Sequence, residues 1–169
     1  LMLTLAGCSR ADEGAQGSTG TTVTIGTMPT EDFLPLWVAE KDDLFAEHGV
    51  DAKIEIFQSA QELATALASG AVDGAMTDVP VAANLTAGGS PMKLAWVTLG
   101  ATPQEGRFGI MVGPGSDVTS LDQLAGVPIG VGSGTMLEYV MDSLMSDAGI
   151  PADSIGVEEL KKLPVRYQL

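Results

Sequence analysis

The stretch SAQELATALASGAVDGAMTDVPVAANLTAGG, residues 59–89, decides the fold class. It opens with SAQE, the pattern of a helix capping box, which predicts a helix that ends at Gly70. The apolar segment 71–76 then predicts a short buried strand, and a second helix is predicted over 79–87. A strand placed between two helices favours parallel pairing, because parallel strands need a crossover connection.

The same alternation continues on both sides of this stretch. The other predicted strands are 22–25, 52–57, 93–98, 107–112, 127–131 and 155–159. The other predicted helices are 34–47 and 137–148, in which apolar residues recur at helical spacing. Together these elements predict an open α/β sheet. Trp37 and Trp96 fall on apolar positions of their elements, so both are expected to pack in the core.

The segment LGATPQEG, residues 99–106, interrupts this alternation. It contains Pro and two Gly and has no apolar periodicity, as is typical of a connection between domains. We therefore expect a first α/β lobe over 22–100, followed by a crossing segment and a second α/β lobe over 101–169.

Composition excludes several function classes. Eight Lys and Arg stand against 22 Asp and Glu, giving a formal net charge of −14. Nucleic-acid binding is excluded, because neutralising phosphates requires clustered Lys and Arg. One Cys and one His provide no metal-ligand spacing, so neither a metal nor another cofactor is predicted. No Ser-His-Asp arrangement and no GxSxG elbow is present, so the sequence does not predict an enzyme.

The only cysteine, Cys8, ends the motif LAGC after a short apolar run. This motif resembles a bacterial lipobox, in which the Cys thiol is lipidated and becomes the first residue of the mature protein. Residues 1–8 are then the remnant of a signal peptide, and 9–21, polar and without periodicity, are a flexible tether. The resemblance implies an extracytoplasmic protein anchored to the membrane by lipid on Cys8, and a chain truncated at its N-terminus.

A candidate ligand site is VGSGTMLE at 131–138, where a strand leads into a helix. Thr135 and Glu138 form the pattern of a capping box. Free N–H groups at the helix start, near Ser133, Gly134 and Thr135, are suited to an anionic or carbonyl oxygen. A plain helix cap that holds no ligand explains the same pattern.

Two further candidate loops follow predicted strands. Thr77 and Asp78 come after the strand at 71–76, and Thr27, Met28 and Thr30, with Asp32 nearby, come after the first strand. The carboxyl ends of parallel strands are where α/β sheets bind ligands, so these loops are expected at the same edge. Asp78 could orient a ligand amine or hydroxyl, or only cap its own helix.

Taken together, the chain resembles the solute-binding lipoproteins of ABC importers. It is most similar to the branch that binds aliphatic sulfonates, nitrate, taurine and thiamine-pyrimidine precursors. The stretches that carry the resemblance are LPLWVAEK at 34–41, LATALASGAVDG at 63–74, SLDQLAG at 120–126 and IGVGSGT at 129–135.

The resemblance implies a type 2 periplasmic-binding-protein-like fold, in which two lobes close on a small-molecule solute by a hinge motion. It implies an ABC permease and its ATPase subunits as partners. Carried over, the loops at 27–30 and 77–78 face the cleft from the first lobe, and Ser133, Gly134 and Thr135 face it from the second. A full binder of this type is roughly twice as long, so we expect a fragment with a nearly complete first lobe and a partial second lobe.

Two other classes share this fold. One is an enzyme of thiamine-pyrimidine or menaquinone biosynthesis, but the pyrimidine synthase requires a Cys-rich motif and histidines that the chain lacks. The other is the sensing half of a transcription regulator, but no helix-turn-helix precedes the first strand. The solute stays open among sulfonates, nitrate, pyrimidines and other small organic molecules. Only Arg107, in the predicted crossing segment, is a candidate partner for an acid.

Overall fold

The computed structural model describes residues 21–100 and 102–168, so Cys8 and most of the predicted tether lie outside the described residues. Within this part of the chain two parallel sheets are formed, one of three strands in the order β2-β1-β3 and one of two strands, β4-β5. The strands are β1 Thr21–Thr27, β2 Val50–Ile56, β3 Gly74–Ala75, β4 Pro128–Val131 and β5 Gly156–Glu159. No helix of the described residues is long and apolar enough to cross a membrane.

Helices connect the strands in the alternation that the sequence predicts. They are α1 Leu34–Lys41, α2 Leu44–Glu47, α3 Ala60–Ser69, α4 Val79–Ala87, α5 Met136–Asp147 and α6 Leu163–Arg166. Short 3-10 helices lie at Glu31–Phe33, Leu121–Leu124 and Ala152–Ser154. The α/β class and the parallel pairing are therefore as predicted.

The first sheet packs against α3 through a close approach at the end of β1. Ser59 caps α3 by accepting from the Glu62 N–H at 3.2 Å, as the SAQE pattern predicts. Leu63 of α3 is fully buried. A Cβ built on Gly26 lies 2.5 Å from Leu63 Cδ1, so only glycine at this position lets the helix pack this closely.

The second sheet has its own core beside α5. Met141 and Met145 of α5 pack with Leu124, Ile129, Val131 and Ile150, all of them buried. Each sheet thus buries apolar residues against its own helices.

The predicted continuous helix over 34–47 is wrong in one respect: it is two helices, α1 and α2. Asp43, between them, has φ 56°, the left-handed region. It is the one residue other than glycine with positive φ in the described chain. A short polar side chain such as Asp tolerates this conformation, which is why the break falls here.

The predicted strands at 93–98 and 107–112 are also wrong, because neither segment pairs with another strand among the described residues. A segment without a hydrogen-bonded neighbour cannot form a ladder, whatever its strand propensity. Their side chains are correspondingly exposed: Trp96 is 87% and Met111 is 78% accessible. The expected core positions of both tryptophans are therefore corrected, since Trp37 is also 56% accessible.

Candidate functional site

Loops from both sheets line one cleft with a volume of about 200 Å³. The first sheet contributes the loops after β1 and β3, with Met28, Thr30, Asp32 and Asp78. The other side consists of the start of α5, the 99–108 segment and the chain after β5, with Arg107, Thr135, Met136, Lys161 and Arg166. The carboxyl-end loops of the two parallel sheets thus meet at one place.

The cleft brings together only half of the predicted ligand residues. Met28, Thr30, Asp78 and Thr135 line it, whereas Thr27, Thr77, Ser133 and Gly134 do not. Thr27 is fully buried, and its hydroxyl donates to the Met28 carbonyl at 3.2 Å. The Thr77 hydroxyl is buried and makes no hydrogen bond with the described residues.

In the loop before α5, carboxylates of the chain accept hydrogen bonds from donors that are predicted to bind a ligand. Ser133 donates to Glu159 from its hydroxyl at 2.6 Å and from its N–H at 3.1 Å. These hydrogen bonds, the hydroxyl first, lower the pKa of Glu159. The Gly134 N–H donates to the Glu138 carboxylate at 2.6 Å. Ser133 and Gly134 therefore hold the loop in shape within the chain.

The predicted capping box at the start of α5 does not form. The Thr135 hydroxyl donates to the Gly132 carbonyl at 2.6 Å instead of accepting from the helix. The Glu138 carboxylate accepts from the Gly134 N–H, one residue before the N-cap. The first N–H groups of α5 therefore have no side-chain cap. Met136 and Leu137, the first residues of this helix, line the cleft. A helix start favours negative charge, and the Glu138 carboxylate in the first turn already supplies one here.

Two hydrogen bonds join the first sheet's helices to this loop. Gln61 Nε2 of α3 donates to the Ser133 carbonyl at 3.0 Å, and Asn84 Nδ2 of α4 donates to the Gly134 carbonyl at 3.1 Å. Gly132 gives the Gln61 side chain room, because a Cβ at Gly132 would lie 2.9 Å from Nε2. The two sides of the cleft are thus held together by amide groups at its rim.

Replacement of Gly132 by Ala is therefore expected to displace Gln61 and break its bond to Ser133. We expect the free energy of unfolding to fall by about 0.5–1.5 kcal/mol, the contribution of one such hydrogen bond. Urea unfolding measures this change. Gly109→Ala is the matched control, since a Cβ at Gly109 meets nothing within 4 Å. An equal loss in both variants would contradict the assigned contact.

Glu31, Asp32 and Asp78 form the acidic side of the cleft. Asp78 precedes α4 but makes no cap hydrogen bond, which disfavours the interpretation that it only caps its own helix. Burial, and secondly the charge of Asp32, raise the pKa of Asp78 above its usual 3.8. Asp32 accepts a short hydrogen bond from the Thr30 hydroxyl. The carboxylates of Asp32 and Asp78 therefore repel each other in a partly desolvated part of the cleft.

The raised pKa of Asp78 predicts a pH-dependent contribution to stability. Above pH 3.8 the native state binds the Asp78 proton more strongly than the unfolded chain does. The contribution of Asp78 to the free energy of unfolding therefore falls as pH rises through the native pKa. The fold is therefore less stable at neutral pH than at acid pH by this contribution, and we expect Asp78→Asn to unfold at a higher urea concentration than the parent at neutral pH. Below pH 3.8, where both states are protonated, the difference should vanish.

Asp122→Asn is the control for this measurement, since Asp122 is exposed and lies outside the cleft. A stability gain for Asp78→Asn that does not change with pH would contradict the electrostatic cause.

Arg107, Lys161 and Arg166 form the basic side of the cleft. They are three of the eight Lys and Arg in the chain, whose net charge is −14. Positive charge is therefore concentrated in the cleft, although the protein as a whole is negative. Burial lowers the pKa of Arg166, and the nearby Glu159 opposes this. Arg107 is predicted from the sequence as a candidate partner for an acid. Lys161 and Arg166 are not, since no local motif surrounds them.

The side chains of the cleft do not form a metal site. No group of three or more His, Cys, Asp or Glu residues suited to a metal ion occurs within 21–100 and 102–168. The arrangement instead offers hydrogen-bonding and charged groups of both signs to a small molecule.

The fold is similar to that of solved binding proteins. The alkanesulfonate-binding protein SsuA from Xanthomonas axonopodis pv. citri, bound to MOPS, superposes with a TM-score of 0.70 at 22% identity, covering 86% of this chain and 50% of that one. The periplasmic aliphatic sulphonate binding protein SsuA of Escherichia coli gives 0.59 at 17% identity, covering 85% and 48%. A protein of Bordetella bronchiseptica RB50 gives 0.56 at 19% identity, covering 83% and 45%.

The chain therefore spans about half the length of these structures. These similarities confirm the predicted fold class, a partial two-lobe periplasmic-binding fold. A comparison with curated protein sequences found no match. The model of the NMT1-like family matches residues 16–108, more than half of the sequence. The chain belongs to the NMT1-like family.

Proposed function

We propose that the chain is part of a solute-binding protein that captures a small anionic solute between two lobes and delivers it to an ABC permease with its ATPase subunits. The observation that carries this proposal is the basic side of the cleft. Arg107, Lys161 and Arg166 line it beside the uncapped start of α5, so a negative group gains both from formal charge and from helix N–H groups.

The solved relatives support the same class of solute. Both SsuA proteins bind sulfonates, and a sulfonate is a compact, permanently ionised acid. Its three oxygens accept hydrogen bonds, as the basic groups and helix start of this cleft require. The solute is thus proposed to be a small sulfonate or a similar acid.

The remaining assignments belong to the same proposal. Lipid on Cys8 would anchor the protein on the extracytoplasmic side of the membrane, with 9–21 as the tether. The lobes would be 22–100 and 101–169. Metabolic labelling with radioactive palmitate in a bacterial host tests the anchor. The full-length parent should incorporate label, and Cys8→Ser should not.

The enzyme alternative receives no support from the cleft. His48, the one histidine, does not line it, and Cys8 lies outside the described residues. A Brønsted base for proton transfer would have to be a carboxylate, and Asp32 and Asp78 are placed equally well to bind charge.

Isothermal calorimetry on the full-length protein, of which this chain is proposed to be part, tests the proposed function. A panel of small sulfonates, carboxylates and nitrate is titrated, and binding of at least one acid is expected. As a parallel readout, a ligand at 100 times its dissociation constant adds about 2.7 kcal/mol to the free energy of unfolding. A folded full-length protein that binds no acid in either assay would overturn the proposal.

A further inference from the structure

Two side-chain amides on helices of the first sheet reach the loop at residues 132–134, which leads from β4 into α5. Gln61 Nε2 on α3 donates to the Ser133 carbonyl at 3.0 Å, and Asn84 Nδ2 on α4 donates to the Gly134 carbonyl at 3.1 Å. The bonded residues lie 72 and 50 positions apart in the chain, so each bond links the two proposed lobes. Donor and acceptor both belong to the chain, so neither bond requires a solute.

The loop that accepts these bonds is fixed by carboxylates from its own side of the cleft. The Ser133 N–H donates to Glu159 at 3.1 Å, and the Gly134 N–H donates to Glu138 at 2.6 Å. The peptide groups of the loop are therefore already oriented by residues of the second sheet and of α5. An acceptor that is ordered in advance loses little conformational entropy when the amide binds to it.

The two amides differ in their relation to the cleft. Gln61 lines it, and Gln61 Oε1 is buried without a hydrogen-bond partner in the described chain, so a change of this residue also alters the surroundings of a solute. Asn84 is exposed on α4 and does not line the cleft. An effect of Asn84 on solute binding must therefore pass through the contact between the lobes.

We propose that Gln61 and Asn84 form a latch that holds the two lobes closed and so sets how long a solute stays bound. The proposal rests on the proposed function and adds control of solute release to it. Where the lobes must part before the solute leaves, a bond that exists only in the closed form slows release. The latch stabilises the closed form equally for every solute, so it lengthens the residence time without changing selectivity.

The variant Asn84→Ala tests the latch in the full-length protein. It removes the amide donor from an exposed helix position and leaves the Gly134 carbonyl accessible to water. In stopped-flow experiments with each acid of the calorimetric panel that binds, the dissociation rate constant should rise about 2- to 12-fold, the net effect of one hydrogen bond. The factor should be the same for every acid. The association rate constant should not fall, because the bond forms after the solute has entered.

Gln58→Ala is the matched control. It removes another exposed amide of the first lobe, one that does not line the cleft and whose side chain makes no hydrogen bond with the described residues. Both rate constants should remain at the parent values, and circular dichroism confirms that both variants are folded. A dissociation rate constant that is unchanged in Asn84→Ala, or that rises for one acid only, would overturn the latch and leave the proposed function standing.

A distance between the lobes tests the latch without a solute. Spin labels are placed at Ala68→Cys on α3 and Asp147→Cys on α5, both exposed and remote in sequence from the amides, with the native cysteines, Cys8 among them, replaced by Ser. In Asn84→Ala the population at the distance of the closed arrangement should fall about 2- to 12-fold relative to the open one. If no acid binds the folded protein, the proposed function fails, and an unchanged distance distribution then overturns the latch as well.

Discussion

Replacement of Leu63 by Ala is expected to lower the free energy of unfolding by about 2–5 kcal/mol, the usual cost of truncating a buried leucine. Leu63 has 0% exposure and lies on α3 beneath the central strand β1. A Cβ at Gly26 would lie 2.5 Å from Leu63 Cδ1, so a larger residue there would force the leucine side chain to move. The truncation therefore leaves a cavity between helix and sheet, and urea unfolding measures the loss.

A second variant tests whether the Gly26 contact is the cause. Gly26→Ala alone should cost about 1–3 kcal/mol, because the added methyl overlaps Leu63. In Gly26→Ala/Leu63→Ala the methyl enters the space that the leucine vacates. The loss of unfolding free energy in the double variant should then be smaller than the sum of the two single losses by about 0.5–3 kcal/mol. Strict additivity would show that the two positions do not share the contact.

The elements that were predicted well are those whose signals are local. Helix α4 runs over Val79–Ala87, as predicted, and α3 begins after the Ser59 cap. Caps, glycine stops and apolar spacing act within a few residues, so the sequence displays them directly. The alternation of these elements was sufficient to predict parallel pairing, which the register of β1 with β2 and β3 confirms.

The elements that were predicted wrongly depend on distant partners. Segments 93–98 and 107–112 have the composition of strands, but a strand requires a neighbour, and none pairs with them among the described residues. The division of the first long helix depends on a left-handed Asp43, which apolar spacing does not reveal. Local sequence preference does not decide these features, because each of them depends on the tertiary environment.

The ligand residues stay predictions, but their positions in the fold depend on the same two kinds of signal. Met28, Thr30, Asp78 and Thr135 were predicted from the rule that strand-end loops meet, and they line the cleft. Ser133 and Gly134 were assigned to a ligand, but Glu159 and Glu138 take their donors. The bond from Ser133 joins residues 26 positions apart, and no spacing in the sequence indicates it.

Replacement of Lys161 by Glu is expected to weaken binding of the tightest sulfonate of the calorimetric panel by about 10- to 150-fold. Lys161 lines the cleft, and the exchange removes a charged donor from the acid of the solute. It also places a carboxylate where the acid binds, which adds repulsion. The dissociation constant, measured at constant ionic strength, reports the effect.

The neighbouring residue provides the matched control. Lys162 is exposed like Lys161 but does not line the cleft. Lys162→Glu changes the net charge of the protein by the same amount, so it measures the effect of the overall field alone. That effect should stay below about fivefold, since an exposed charge pair contributes at most ~1 kcal/mol. Equal losses in the two variants would mean that the solute responds to the field of the protein and that Lys161 does not contact its acid.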